Sequence, residues 1–447
     1  MTPRPKAAVV THGCRYNQFE SAEITQHLQE EGFEVVEGSQ KADLYVINTC
    51  TVTGRSDHKS RQSIRKLSAL NREAAIVVTG CYSQMSPEEI VEREDVDLVI
   101  GNREKYVLAD YLRKSGLWKG NRIQKSGGVA RIYVDELKRD RRFHSRPVAQ
   151  IPGRTKAYLK IQSGCDQTCS FCIVTLARGD SASDRPENVI RQFQDLLDKG
   201  FKEIALTGIH LGSYGRDLTP SSSLAALLEQ IVQLEGAFRI RLSSVGPAEM
   251  DENLIRLMKE HPKICPSLHL PLQSGDDEIL RRMRRNYTSS EYKEIFNSVC
   301  SQVPGVGIGA DVMTGFPGES EDAFQKTLRM VEELSFAYLH VFQYSERPGT
   351  DAARLSPKVP ASVGRERAET LKALAAKKME AFRKGHLGTE REVLVEKARE
   401  RGTGLLKGHT DNFIPVLMEG EDERKYKIEK VLLTRMEGIE VHGRFSS

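Results

Sequence analysis

Residues 1–120 alternate between short apolar stretches and stretches with the apolar spacing of a helix. The apolar stretches favour strands at four places, namely Lys6–Val10, Asp43–Asn48, Ala74–Thr79 and Asp97–Ile100. Helical spacing lies between them, for example over Glu20–Glu31 and Arg61–Leu70. Because strands that alternate with helices form parallel sheets covered by helices, this part is predicted to be an α/β domain. Ligands of such sheets bind beyond the carboxyl ends of the strands.

Three cysteines follow these strands directly. Cys14 comes after the first strand, Cys50 after the second and Cys81 after the third. Since parallel strands end at the same edge of a sheet, this edge is predicted to gather all three thiols. The alternative is that they are ordinary core residues, as free cysteine often is. Their shared position favours a metal site, whereas Cys265 and Cys300 have no partner spacing and are expected to be structural.

A second set of three cysteines is compact. Cys165, Cys169 and Cys172 form a C-x3-C-x2-C sequence, with the aromatic Phe171 before the last cysteine. Three thiolates can hold an iron–sulfur cubane by three of its four irons and leave one iron free to bind another molecule. The alternative is an incomplete zinc site, which is disfavoured because no fourth ligand lies nearby in the sequence.

The middle of the chain again alternates between strands and helices. Six strands are predicted, at Ala157–Ile161, Glu203–Thr207, Arg239–Ser243, Ser267–Leu270, Gly307–Met313 and Tyr338–Phe342. Six repeated β/α units favour a partial (β/α)6 barrel whose active face lies at the carboxyl ends of the strands. A charged helix at about Ala361–Lys384 follows, and the tail alternates in the manner of a small β-barrel. The predicted domains are 1–137, a basic linker 138–154, 155–384 and 385–447.

Composition limits the class of protein. The chain has 447 residues, a hydrophobic content of 39% and a formal net charge of +4. No apolar run is long enough to span a bilayer, and Met1–Lys6 leads directly into a strand without a secretory signal. We therefore expect no membrane association and a cytoplasmic protein. In a reducing compartment these cysteine spacings favour metal ligation over disulfides.

Further motifs accompany the cysteines. In chain order they are Gly13–Ser21, Asn48–Cys50, Thr207–Gly215, Leu242–Pro247, His269–Asp276, Met283–Tyr287, Asp311–Glu319 and Ser345–Thr350. The compact cysteine set looks like the signature of radical S-adenosylmethionine (SAM) enzymes. The other motifs resemble those of the methylthiotransferase family within that class, most like its MtaB-type branch, which acts on N6-threonylcarbamoyladenosine. The likeness covers nearly the whole chain, and the tail resembles the family's RNA-binding TRAM domain.

This resemblance implies a transferase with two 4Fe-4S clusters and SAM. Cys165, Cys169 and Cys172 would hold the catalytic cluster that binds and cleaves SAM to a 5′-deoxyadenosyl radical. The radical would act at C2 of the adenine, and the cluster on the N-terminal cysteines would deliver the methylthio group. The implied substrate is N6-threonylcarbamoyladenosine at position 37, in the anticodon stem-loop of tRNA. The implied electron donor is a reducing protein such as flavodoxin.

Polar residues at the ends of the barrel strands are candidates for the SAM pocket. Backbone amides at the end of a strand can meet a carboxylate or amino group where a glycine removes the side chain. The candidates are Phe171 from the cysteine segment and Thr207, Gly208, Ser243, Ser244, Gln273 and Asp311 from the barrel. Each of these polar residues is equally explained as a cap or a turn residue at the end of a strand.

Two alternatives to this function remain. The first keeps the chemistry and changes the substrate to N6-isopentenyladenosine of tRNA or an aspartate of a ribosomal protein, which nucleoside analysis of tRNA distinguishes. The second is a non-catalytic iron–sulfur protein that binds RNA and senses redox state, which an assay of reductive SAM cleavage distinguishes.

Overall fold

A computed structural model describes residues 4–137, 141–145 and 155–446 of the chain. These residues form two compact units. The first contains the N-terminal part up to residue 145 together with Ser163–Ala182 and Ser345–Thr350. The second contains residues 155–162, Ser183–Tyr344 and 351–446. The compact cysteine segment therefore belongs to the first unit although it follows the first barrel strand in sequence.

The first unit is built on a parallel sheet. The strands of this unit up to residue 133 are β1 (Lys6–Thr11), β2 (Glu34–Val36), β3 (Leu44–Thr49), β4 (Ala75–Gly80), β5 (Leu98–Ile100), β6 (Trp118–Lys119), β7 (Arg122–Ile123) and β8 (Arg131–Tyr133), of which β6 and β7 form a separate antiparallel pair. Its helices up to this point are α1 (Arg15–Glu30), α2 (Gly54–Leu70), α3 (Cys81–Met85), α4 (Pro87–Arg93) and α5 (Leu108–Lys114). The sheet order is β2-β1-β3-β4-β5-β8, with every neighbouring pair parallel.

The predicted α/β fold of this part is confirmed. Each face of the sheet carries its own apolar core, because alternate side chains of a strand point to opposite faces. Leu44 and Val46 of β3 lie in one core, and Tyr45 and Ile47 lie in the other. Sequence patterning missed the edge strands β2 and β8, which have only three residues each.

Helix α2 begins earlier than its apolar spacing indicates. The sequence predicts helix from Arg61, whereas the structure has it from Gly54. The reason is an N-cap, since Thr53 Oγ1 accepts a hydrogen bond of 3.2 Å from the backbone N–H of Ser56. Such caps satisfy amides that have no partner within the helix.

The second unit begins with the partial barrel. The strands from here are β9 (Ala157–Lys160), β10 (Gln162–Ser163), β11 (Ala182–Ser183), β12 (Glu203–Thr207), β13 (Arg239–Leu242), β14 (Ser267–His269), β15 (Gly307–Thr314) and β16 (Tyr338–Gln343). The helices are α6 (Val174–Arg178, in the first unit), α7 (Pro186–Asp198), α8 (Leu224–Ile231), α9 (Glu252–Glu260), α10 (Asp277–Arg282), α11 (Ser289–Gln302), α12 (Glu321–Glu333) and α13 (Ala361–Lys384). Strands β9, β12, β13, β14, β15 and β16 confirm the six predicted strands.

These six strands form two parallel sheets joined by single bridges. The sheet orders are β13-β12-β9 and β14-β15-β16, and parallel bridges Ile240–Ile264 and Ser244–His269 connect them. Ile308, Ala310 and Val312 of β15 enter the large apolar core of this unit. By the period of a strand, Gly309 and Asp311 lie on the opposite face of β15.

The tail is a closed barrel of five strands, as predicted. They are β17 (Glu390–Arg399), β18 (Leu406–Thr410), β19 (Pro415–Met418), β20 (Ile428–Glu437) and β21 (Glu440–Phe445), in the closed order β17-β18-β19-β21-β20. Strand β19 begins at Pro415 and does not include Phe413. Phe413 has a φ of +75°, a left-handed conformation that does not continue a strand.

The turn before β19 is bound by residues of the partial barrel. Arg241 donates to the backbone oxygens of Asp411 and Thr410, at 2.9 and 3.2 Å. Its guanidinium also lies 5.0 Å from the ring centre of Phe413. Because Arg239 is the first residue of β13, these contacts place the closed barrel at the amino ends of the strands, away from the predicted active face.

Two sequence predictions are affected by the extent of the described chain. The predicted basic linker 138–154 lies outside the described residues except for residues 141–145. The domain boundaries stay predictions, because the compact units group residues by contact and not by sequence order. No helix in the described ranges is long and apolar enough to cross a bilayer.

Candidate functional site

The three N-terminal cysteines lie at the ends of three adjacent strands. Cys14 follows β1 and precedes α1, Cys50 follows β3, and Cys81 follows β4 and begins α3. In the sheet, β1 pairs with β3 and β3 pairs with β4, with all three parallel. The structure thus has the arrangement that the sequence predicts, except that Cys50 follows the third strand of the chain because β2 intervenes.

Two glycines allow the cysteine loops to approach one another. Gly13 has a φ of +106°, and a Cβ on it would lie 2.7 Å from Cys50 Cβ. Gly80 has a φ of +102°, and a Cβ on it would lie 2.4 Å from the backbone oxygen of Thr49. Both positions combine a left-handed backbone with a contact that no side chain fits, so glycine is needed there for conformation and for space.

The three cysteine residues differ in their exposure. Cys50 and Cys81 are buried, whereas Cys14 is exposed. Burial and the neighbouring Cys81 raise the pKa of Cys50 to about 11. Asn102 Nδ2 lies 3.9 Å from Cys81 Sγ, in position to donate a weak hydrogen bond to it. Burial also raises the pKa of the Cys14 thiol, so its sulfur is enclosed although other atoms of the residue are exposed.

An arginine from a distant segment supports the loop of Cys50. Arg347 Nη2 donates to Thr51 Oγ1 at 2.6 Å and lies 2.7 Å from Asp57 Oδ2. Ser345 Oγ accepts a hydrogen bond of 3.1 Å from the backbone N–H of Gly54. The motif Ser345–Thr350 thus holds the residues that follow Cys50.

The compact cysteines lie in a short loop of the same unit. The backbone N–H of Cys165 donates to the oxygen of Gly179 at 3.1 Å, and that of Cys172 donates to the oxygen of Cys169 at 3.1 Å. All three cysteines are half-buried, and so is Phe171. Burial raises the pKa of the Cys165 thiol to about 12, despite a hydrogen bond of 3.4 Å from the N–H of Gln167. A bound cation would reverse this preference, because metals bind the thiolate.

In the second unit, several predicted pocket residues stand at the ends of barrel strands. Thr207 is the last residue of β12, and Ser243 and Ser244 follow β13 directly. A Cβ on Gly208 would lie 2.7 Å from Gln162 Oε1, an oxygen that also accepts from the backbone N–H of His210 at 2.8 Å. The absence of a side chain at Gly208 therefore makes room for Gln162, in addition to the position of Gly208 at the end of a strand.

Two of these residues have unpaired polar atoms. Among the described residues, Ser243 Oγ and Gln273 Oε1 are buried and lack a hydrogen-bond partner. Gln273 also has a φ of +65°, which is rare for a residue with a side chain. Because buried polar atoms are nearly always paired, each of these two atoms has hydrogen-bonding capacity that a polar ligand would satisfy.

Asp311 lies between two histidines. His269 Nε2 is 3.1 Å from Asp311 Oδ2, and His340 Nδ1 is 3.4 Å from Asp311 Oδ1. Although burial opposes ionisation of Asp311, hydrogen bonds from both histidines hold the pKa of its carboxyl well below the ordinary range. Tyr338 Oη lies 3.2 Å from His269 Nδ1 and fixes the other side of that ring. Asp311 is thus a carboxylate acceptor at neutral pH.

Comparison with known proteins identifies the family of this chain. Residues 6–101 match the model of "Uncharacterized protein family UPF0004", and residues 159–331 match that of the Radical SAM superfamily. The threonylcarbamoyladenosine tRNA methylthiotransferase MtaB of Bacillus subtilis (strain 168) is 38% identical over 427 residues, which is 95% of this chain and 93% of that protein. The chain belongs to the radical SAM tRNA methylthiotransferase family.

Other methylthiotransferases are similar over most of their length. MtaB of Aquifex aeolicus (strain VF5) is 38% identical over 94% of this chain and 98% of that protein. A tRNA-2-methylthio-N(6)-dimethylallyladenosine synthase of Dictyoglomus thermophilum is 33% identical over 97% of each chain. A solved structure, that of the radical SAM methyltransferase TsrM from Kitasatospora setae, has a TM-score of 0.55 at 16% identity and covers 78% of this chain and 77% of its own. At that identity the likeness shows the fold alone.

Sequence reasoning missed several polar residues of this methylthiotransferase. Asn102, Arg347, His269 and His340 all contact residues that the sequence singles out, but their partners lie far away along the chain. The available signal was weak. Arg347 and His269 stand within motifs of the family, whereas Asn102 follows β5 and His340 lies within β16, and neither has a distinctive local pattern.

Proposed function

We propose that this protein adds a methylthio group to C2 of N6-threonylcarbamoyladenosine in tRNA. One observation carries the proposal: the chain matches the MtaB of Bacillus subtilis at 38% identity over 95% of its length. The presence of three thiols at adjacent strand ends and a compact second set supports it. The substrate would be the modified adenosine of the anticodon stem-loop, in a cytoplasmic reaction driven by a reducing protein such as flavodoxin.

The two cysteine sets have the donor chemistry of iron–sulfur sites. Each offers three thiols from short loops, which fits a cubane held by three irons with one iron left open. Cys14, Cys50 and Cys81 would hold one 4Fe-4S cluster, and Cys165, Cys169 and Cys172 would hold the other. When bound, the clusters and SAM supply the electron-transfer, radical and sulfur-transfer chemistry. The chain itself places the thiolates and limits the access of water.

Polar groups on and beyond the barrel strands would orient SAM, although Asp311 lies within β15 and not at its end, where the sequence predicts it. Ser243 Oγ and Gln273 Oε1 have unused hydrogen-bonding capacity among the described residues, and Asp311 presents an ionised carboxylate. These acceptors suit ribose hydroxyl groups and the amino group of a methionine moiety. Because no side-chain base is needed to begin a radical reaction, their role is to bind and orient.

Replacement of Gln273 by alanine is expected to weaken SAM binding. Loss of one hydrogen bond of about 1.4 kcal/mol raises the Kd for SAM by about tenfold, since the buried Oε1 has its proposed partner in the ligand. Equilibrium binding of SAM to the cluster-loaded full-length protein measures this. Gln325→Ala is the matched control, because Gln325 is a half-buried residue of α12 whose amide donates to Glu321 Oε1 at 2.8 Å. An unchanged Kd in Gln273→Ala would remove Gln273 from the SAM site.

The function is tested by nucleoside mass spectrometry of tRNA. The gene is expressed in a host that lacks its own methylthiotransferases, and the nucleosides of total tRNA are compared with those of the same host carrying a Cys165→Ala variant. The expected result is 2-methylthio-N6-threonylcarbamoyladenosine in the first strain and none in the second. Formation of methylthiolated isopentenyladenosine instead would keep the chemistry and change the branch, a possibility raised by the relatives at 33% identity.

A further inference from the structure

The end of α6 contacts both cysteine sets of the first unit. Helix α6 follows the compact cysteines in sequence and ends at Arg178. The guanidinium of Arg178 donates to both carboxylate oxygens of Glu20, at 2.7 and 3.0 Å. It also donates to Asn17 Oδ1 at 2.7 Å. Glu20 and Asn17 lie on α1, which begins directly after Cys14.

Asn17, which Arg178 contacts, is hydrogen-bonded to the loops of two N-terminal cysteines. Its Nδ2 donates to the backbone oxygens of His12 and Thr49, both at 2.9 Å. Thr49 immediately precedes Cys50, and Cys14 Sγ lies 3.7 Å from Asn17 Oδ1. The side chain that Arg178 holds therefore links the loop of Cys14 with the loop of Cys50.

The residues on either side of Arg178 contact the surroundings of two further cysteines. The backbone oxygen of Ala177 accepts a hydrogen bond of 2.6 Å from Asn102 Nδ2, the same nitrogen that lies 3.9 Å from Cys81 Sγ. The backbone oxygen of Gly179 accepts from the N–H of Cys165 at 3.1 Å. Three consecutive residues thus contact the surroundings of Cys14, Cys50, Cys81 and Cys165.

The charges around Arg178 suit anionic ligands. Arg178, Glu20 and Lys105 are all buried, with side-chain exposures of 4%, 1% and 1%. Lys105 Nζ lies 2.6 Å from Glu20 Oε1, so two cations share one carboxylate. A buried net positive charge is costly unless further negative charge is near. Thiolates that bind a cluster would supply that negative charge.

A purely structural ion pair would also explain the burial of Arg178. Such a pair would affect folding, but it would not alter the redox properties of one cysteine site or the use of SAM. Measurements of the redox properties and of the use of SAM therefore distinguish a structural ion pair from a role at the cysteine sites.

We propose that Arg178 is a positioning residue that fixes the Cys14, Cys50 and Cys81 site relative to the compact cysteine loop. Its positive charge also compensates the negative charge of the thiolates at that site. This inference rests on the proposed cluster assignment. Arg178 contacts the partners of the cysteines and not the thiols, so it acts through Asn17 and Glu20.

The first test isolates the N-terminal cluster in the full-length chain. Cys165, Cys169 and Cys172 are replaced by alanine, and iron and sulfide content, the electron paramagnetic resonance spectrum and the midpoint potential are measured without tRNA. Arg178→Gln is expected to shift the potential to a more negative value, because a cation near a cluster favours its reduced state. Arg178→Lys keeps the charge and is expected to remain closer to the parent protein.

The second test measures turnover in the chain with all six cysteines. Both Arg178 variants are expected to lose methylthiolated product by about 10- to 100-fold, the usual cost of losing a partner of a metal-ligand shell. SAM cleavage to 5′-deoxyadenosine should fall much less, so the ratio of product to 5′-deoxyadenosine decreases. Arg65→Gln is the control, since Arg65 pairs with Glu94 at 2.8 Å in the same unit and is 66% exposed.

The outcomes separate the two proposals. If the parent with only the N-terminal cysteines loads no cluster, the cluster assignment of the proposed function fails. If it loads a cluster, and both Arg178 variants keep the parent potential and product ratio, the role of Arg178 is overturned. If Arg178→Gln does not fold, as judged by circular dichroism, Arg178→Lys decides by its product ratio, and a parent-like ratio overturns the proposal.

Discussion

A Cys14→Ala variant is expected to form no methylthiolated tRNA while it still cleaves SAM to 5′-deoxyadenosine. Cys14 lies with Cys50 and Cys81 at one sheet edge, and within the described part of the chain these three thiols are the cysteine ligands available there to hold a cluster. Loss of one removes a third of the ligands from the site that would supply sulfur. The compact set Cys165, Cys169 and Cys172 is unchanged in this variant, so the initiating reaction continues.

Two further variants give this experiment its controls. Cys165→Ala is expected to abolish both SAM cleavage and product. Cys300→Ala is expected to preserve both, because Cys300 lies on α11 of the second unit, whereas both cysteine sets belong to the first. Quantification of 5′-deoxyadenosine and of methylthiolated nucleoside in one reaction measures all three proteins. Full methylthiolation by Cys14→Ala would exclude the N-terminal cysteines as a cluster site.

A Glu203→Gln variant is expected to lose about 3–5 kcal/mol of unfolding free energy, as when one partner of a buried ion pair is removed. Glu203 accepts from Arg239 Nε at 2.7 Å and from Arg241 Nε at 2.8 Å. Each of the three side chains is no more than 2% exposed. Neutralising the carboxylate removes the negative charge to which both buried guanidinium groups donate. The midpoint of urea unfolding, followed by far-ultraviolet circular dichroism, measures the loss.

The same interaction predicts an acid dependence. Although burial opposes ionisation, Arg241 and Arg239 hold the pKa of Glu203 well below its ordinary value. A carboxyl with a lowered pKa stabilises the folded state above the pKa of the unfolded chain, and this contribution is lost as the pH falls below that value. The stability difference between parent and Glu203→Gln should therefore shrink in acid. Glu229→Gln is the control, since its pair with Arg256 is about half exposed and contributes about 0–1 kcal/mol. Equal losses in the two variants would contradict this account.

The strand-end cysteines could be placed from sequence because their placement depends on a short-range pattern. A strand of apolar residues followed by a cysteine occurs three times, and parallel pairing then brings the three thiols to one edge. The same reasoning located the six strands of the partial barrel. It missed β2 and β8, where three residues are too few for a pattern to stand out.

The supporting residues could not be placed in this way. Arg178 and its partner Glu20 are 158 positions apart, and Arg347 and Thr51 are 296 positions apart. No local period links such pairs, because tertiary folding alone brings them together. Gln273 was selected for its position after a strand, but its left-handed backbone and unpaired oxygen are features of the folded chain.

The turn that carries Phe413 has a consequence for how this protein can be dissected. Arg239 donates to the backbone oxygens of Glu392 and His409, and Arg241 donates to those of Thr410 and Asp411. Deletion of the C-terminal barrel would remove these acceptors from both arginines. It would also expose the face of the Arg241 guanidinium that lies against the ring of Phe413. A truncated enzyme would therefore lose activity because its partial barrel is destabilised, in addition to any loss of RNA binding. The C-terminal barrel thus stabilises the partial barrel. Its contribution to substrate binding is therefore best measured with surface substitutions in the full-length chain.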